Sequence, residues 1–110
     1  MSEDKAIYGS IATDISDLVN AQCALPLSDP QYISPSPEQV KLLRNYLGLS
    51  QAKLGYFLRM PVDRKGCSMV RKWETPRDKK EHRKMDDNAW RRMLYAANLA
   101  NPMDDLKYIK

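Results

Sequence analysis

Between Arg59 and Lys84 lie ten bases (Arg59, Arg64, Lys65, Arg71, Lys72, Arg77, Lys79, Lys80, Arg83 and Lys84) and four acids. Guanidinium and ammonium groups at this density attract a polyanion, because each cation set against a phosphate releases condensed counterions. The same composition also describes a solvated, charged surface loop. One stretch gives the charges a direction. In Val70-Arg71-Lys72-Trp73-Glu74, helical geometry puts Val70 and Trp73 on an apolar face and Arg71 and Lys72 on a cationic one. No paired-carboxylate, Ser/His/Asp, Cys/His, phosphate-loop or zinc pattern accompanies them, and the lone His82 reads as a surface residue. The chain is therefore not expected to be an enzyme, and no cofactor or metal is expected.

The elements that must position these groups are short. Ser36-Pro37-Glu38 opens a helix: a capping hydroxyl, a proline suited to the first turn, and an acid favoured by the helix dipole. Val40, Leu43, Tyr46 and Leu47 form its apolar face, Leu42 flanks it, and Gly48 ends it. Ser50 caps a second helix with Leu54, Phe57 and Leu58 inward, and Met60-Pro61 stops it. Gly55 lies mid-helix, where it costs about 1 kcal/mol against alanine and marks the close approach of another backbone. Asp63-Arg64-Lys65-Gly66 reads as a turn, and a third helix spans about Cys67 to Glu74, ended by Thr75-Pro76.

From Arg77 to Asp87 there are nine charged residues besides His82, a charged loop or a frayed helix. Asp86-Asp87-Asn88 caps a last helix with Trp90, Met93, Leu94, Ala97 and Leu99 inward, and the chain closes at Asn101-Pro102. Upstream, Ile7, Ile11, Ile15, Leu18 and Val19 recur at helical spacing within residues 6–24, and prolines at 26, 30, 35 and 37 then read as an extended connector. The expected division is an N-terminal arm with its connector at 1–35, a core domain at 36–100 and a short tail at 101–110. No internal repeat is evident in the residues.

The net charge of +4 hides a polarity: residues 1–36 hold one base against five acids, and the remainder holds 17 bases against nine. No apolar run approaches the ~20 residues of a membrane span, and the N-terminus lacks a basic-then-apolar leader, so no membrane partner is expected. Cys23 and Cys67 are isolated and read as reduced cytoplasmic thiols.

Leu47, Gly48, Leu49, Ser50, Gln51 and Leu54, followed by Val70, Trp73 and Glu74, resemble the lambda-repressor-like, Cro/XRE helix-turn-helix domain over residues 36–99. Ala52 falls on the family's variable position and Gly55 on its small-residue position. Three features depart from the pattern. Ser50 and Trp73 stand about five residues too far apart, the excess falling in Arg59–Gly66; Thr75-Pro76 replaces the usual residue-glycine; and Lys53 replaces a glutamate.

The resemblance implies an all-α bundle of four to five helices with an N-terminal helical arm, and places base-contacting positions on Cys67, Ser68, Arg71 and Lys72. Arg71 is the first choice, since its fork matches guanine O6 and N7. Gln51 matches the family's phosphate-contacting glutamine. Arg64 and Lys65 would add groove or phosphate contacts, and Arg77, Lys79 and Lys80 resemble a basic phosphate-touching loop, with Arg83 and Lys84 as further candidates. Arg44 matches the arginine that pairs with Glu74. Cys67 reads as a small side chain packed near DNA or as a redox sensor.

The function implied is a cytoplasmic, bacterial or phage-encoded transcriptional regulator that binds double-stranded DNA as a homodimer, acting as a repressor on a palindromic operator. An antitoxin, or a phage or plasmid regulator whose arm binds a protein partner, is the alternative. The isoleucine stripe also fits a segment that folds back onto the domain's own core.

Overall fold

In the computed structural model, which describes residues 14–109, Ser36 and Gln39 form a reciprocal cap at the start of the first long helix. The serine hydroxyl accepts from Gln39 N, and Gln39 Oε1 accepts from Ser36 N at 2.8 Å. Five α-helices follow one another among the described residues: α1 Ser16–Val19, α2 Pro37–Tyr46, α3 Gln51–Phe57, α4 Ser68–Glu74 and α5 Asp87–Ala96. Tighter 3₁₀ turns stand at Gln22–Ala24 and Pro102–Leu106. The chain is all-helical over this range and contains no strand. No helix here is long and apolar enough to cross a membrane.

The core joins Val40 and Leu43 of α2, Leu54 and Leu58 beside α3, Val70 and Trp73 of α4, and Trp90, Met93 and Leu94 of α5. Helix α4 packs on both α2 and α3, and α5 packs on α2. Two readings of these faces need correction. Tyr46 is 54 % exposed, and the inward position on that turn belongs to Arg44. The stop of α3 is Arg59, which adopts a left-handed φ of 62° one residue before Met60-Pro61.

The N-terminal segment also differs from expectation. Ile7 and Ile11 lie outside the described residues. Within them the helix is a single turn: after Val19 the backbone leaves α geometry, so Leu18 is buried while Val19 faces solvent. Residues 20–35 are seated on the body. Trp90 Nε1 donates to Cys23 O at 2.7 Å, and Arg91 Nη1 donates to Leu25 O at 2.8 Å. Tyr32 and Ser34 hydroxyls both donate to Asp87 Oδ1, and Leu18 and Cys23 join the core.

Residues 25–49 and 75–99 trace the same backbone at a constant offset of fifty: a proline-led turn, five extended residues, a ten-residue helix and a left-handed closing residue. Lys79 N donates to Pro76 O as Asp29 N donates to Pro26 O, both at 3.0 Å. Ser36 and Asp86 cap the two helices, and Gly48 (φ 75°) and Asn98 (φ 60°) close them. This repeat is a correction to the sequence reading. At that offset only Pro26/Pro76 and Leu49/Leu99 are identical, so hydrogen bonding and burial carry the repeat and residue identity does not.

Candidate nucleic-acid interface

Helix α4 is built as its sequence dictates: Val70 and Trp73 are sealed in the core, while Ser68 and Arg71 are exposed and Lys72 is half-buried. Its seat is set by Gly55. A Cβ at that position would stand 2.8 Å from Cys67 Cβ and 2.8 Å from Val62 Cγ2. The close neighbour of Gly55 is thus a pair of side chains from the turn and the start of α4, rather than another backbone. The enlarged turn is closed by Asp63 N to Gly66 O at 3.0 Å and Gly66 N to Asp63 O at 2.9 Å. Asp63 Oδ1 also accepts from Lys65 N, and Gly66 takes a φ of 107° that a side chain would resist. Arg64 and Lys65 are held exposed at the tip.

Five of the ten expected contact residues, Gln51, Lys65, Cys67, Ser68 and Arg71, line one cleft of about 130 Å³ between this turn and α4. Behind it stands the expected ion pair. Arg44 Nε and Nη2 meet Glu74 Oε2 and Oε1 at 2.6 and 3.0 Å, and Arg44 Nη1 donates to Leu49 O. The pair is almost sealed, with side chains 10 % and 5 % exposed. Gln51 Nε2 donates to Glu74 Oε1 at 3.0 Å, so the glutamine is a rigid extension of the pair. Its amide keeps one further N–H free of that contact.

One assignment changes. Cys67 is 2 % exposed and belongs to the core cluster, so its thiol serves packing against Gly55; the same burial removes it from oxidants and from a base edge. Lys72 is half-buried, which leaves Arg71 as the more accessible cation of α4.

Arg64 on the turn and Lys72 on α4 do not line the cleft, and the other expected cations lie on the loop after α4, also outside it. The frayed-helix alternative does not apply. Residues 76–82 form consecutive turns, and Arg83 N donates to Lys72 O at 3.1 Å, stapling the loop to α4. His82 Nδ1 contacts Thr75 O at 2.8 Å and adds a second staple. Lys79, Lys80 and Lys84 are exposed; Lys84 Nζ lies 3.5 Å from Asp87. Arg77 reaches Pro35 O at 3.3 Å, and the Arg83 guanidinium donates to the Lys80 and His82 carbonyls. Those two arginines therefore also brace the loop.

Sequence reasoning gave no role to three residues. Glu81 accepts from Arg71 Nη1 at 3.2 Å; the guanidinium of Arg92 covers the Phe57 ring at 4.7 Å; and Arg91 lies buried against Asp105 at 2.6 Å. Only Glu81 carried a usable signal, as an acid in the middle of a basic run. The other buried thiol, Cys23, has its pKa pushed up to about 11, chiefly by burial, and is unreactive near neutrality.

No protein-family model, curated protein or solved structure matches this chain.

Proposed function

We propose that the chain reads double-stranded DNA through an XRE-type helix-turn-helix, with α3 as the supporting helix and α4 in the major groove. The observation that carries this reading is the arrangement around the cleft. Arg71, Ser68, Lys65 and Gln51 converge beside the exposed face of α4, with the loop cations Lys79, Lys80 and Lys84 on the segment stapled to that helix. An α4 seated against α3 by Gly55 and locked by Arg44–Glu74 is rigid enough to hold such a register.

In this reading Arg71 takes a guanine edge, Lys72 reads a guanine or neutralises a phosphate, and Gln51, Arg64 and Lys65 hold the backbone on either side. Two copies would occupy half-sites about 34 Å apart and block polymerase, making the protein a repressor in a bacterial cytoplasm. Titration of the purified chain into labelled duplex DNA at several salt concentrations tests the reading. Saturable binding that weakens steeply with salt supports it, and binding that is absent or insensitive to salt refutes it.

A further inference from the structure

The repeated backbone separates charge that serves the fold from charge that serves a ligand. Residues 26–36 make the loop with no base and a single acid, Asp29. Residues 76–86 make the same loop with Arg77, Lys79, Lys80, Arg83 and Lys84, and with acids at Asp78, Glu81 and Asp86. Since the first copy reaches this conformation almost uncharged, the conformation does not require most of the charges of the second, Arg77 and Arg83 alone among the cations bracing it.

Among the three acids, Asp86 has a structural task as the cap of α5, accepting from Ala89 N at 3.0 Å. Glu81 has none of that kind. It is 65 % exposed, and its partner Arg71 is 53 % exposed. An exposed pair of this sort contributes about 0–1 kcal/mol to stability and less in salt. A carboxylate amid cations also weakens general attraction to phosphate. Neither stability nor bulk affinity accounts for it.

Its position does. The carboxylate sits 3.2 Å from Nη1 of the guanidinium assigned to a guanine, and uses only one of the five N–H groups of that fork. A donor fork with an acceptor beside it complements the major-groove edge of G·C, where guanine offers O6 and N7 and cytosine offers its N4 amine. We infer that Glu81 is a second specificity-determining residue: it holds Arg71 toward its guanine and accepts from the N4 amine of the neighbouring cytosine. Opposite thymine, the carboxylate would face the O4 acceptor and be repelled, so the pair discriminates by rejection as well as attraction. This inference rests on the helix-turn-helix reading of the same site.

The test selects bound sequences from a random duplex pool with the full chain and with the Glu81→Gln and Glu81→Ala variants. The wild type is expected to enrich a sequence with a fixed G·C position. Both variants are expected to lose preference for cytosine there by about tenfold or more, while binding unselected duplex DNA as well as or better than the wild type. Unchanged circular dichroism is expected for both, because the pair is exposed. Variants that enrich the wild-type sequence with equal preference, or that lose affinity for all duplexes alike, overturn this inference alone. A wild-type chain that binds no duplex DNA overturns it together with the reading beneath it.

Discussion

Gly55 occupies a point where even a methyl group lacks room, and the seat of α4 on α3 depends on that. Alanine there gains about 1 kcal/mol of helix propensity. Its Cβ, however, would press on Cys67 Cβ and Val62 Cγ2 at 2.8 Å, and overpacking of that kind costs about 1–3 kcal/mol. Gly55→Ala is expected to lower the urea midpoint of unfolding; a midpoint at or above the wild type contradicts the close seating of α4 on α3. A mid-helix glycine made this approach legible in the sequence. The identity of the neighbours was not legible, because the enlarged turn left the register of α4 open until the Asp63–Gly66 closure was seen. Cys67 was misplaced for the same reason. The Arg44–Glu74 pair escaped that difficulty, since both ends lie on helices outside the turn.

The helices were readable because their caps and apolar spacing agree: Ser36, Ser50 and Asp86 each accept a backbone N–H at a helix start. The segment before Pro37 was harder. Dense prolines exclude a helix but say nothing of docking, and residues 20–35 are held by carbonyls that accept from Trp90 and Arg91 and by the Tyr32 and Ser34 hydroxyls on Asp87, pairings between distant residues that no periodicity reveals. Removal of residues 1–30 would take away Leu18 and Cys23 from the core and the carbonyl partners of Trp90 and Arg91. The expected outcome is a loss of about 3 kcal/mol or more of unfolding free energy by denaturant titration. A truncated chain as stable as the full one would show that these residues are an appended arm. The backbone repeat belongs to the same scale: two elements of like shape were built from unlike residues, and the loop at 76–86 carries five bases where the one at 26–36 carries none.

Across the whole molecule, burial of neutral protonated groups gives the fold a defined weakness at alkaline pH. Cys23 is raised from 9.0 to about 11, chiefly by burial with its own backbone hydrogen bond opposing. The Tyr32 and Tyr95 phenols are raised as well, first by burial and then by the hydrogen bonds to Asp87 and Asp105. These groups hold their protons more tightly folded than unfolded; the Cys23 contribution is whole below about pH 9 and is lost as pH climbs toward 11, and the loss from the two phenols begins only above about pH 10. For Cys23 a shift of that size corresponds to about 3 kcal/mol. Urea midpoints should hold from pH 8 to about 9 and then fall toward pH 10.5, less steeply in a Cys23→Ala variant; a profile in the wild type that stays flat above pH 9 contradicts the burial of these groups.

The charge polarity between the two ends of the chain was plain in the sequence; that Lys65 and Arg71 share one cleft while Lys79, Lys80 and Lys84 stand on the loop beside α4 required the fold. The most direct measurement is the affinity of the full chain for duplex DNA at 50 and 200 mM salt, by fluorescence anisotropy, beside Arg71→Ala. Contact with about four phosphates predicts a loss of roughly a hundredfold over that range, and Arg71→Ala should lose its preference for the selected sequence by about tenfold while still binding bulk duplex. An affinity unchanged by salt, or an Arg71→Ala variant with undiminished sequence preference, would contradict the account.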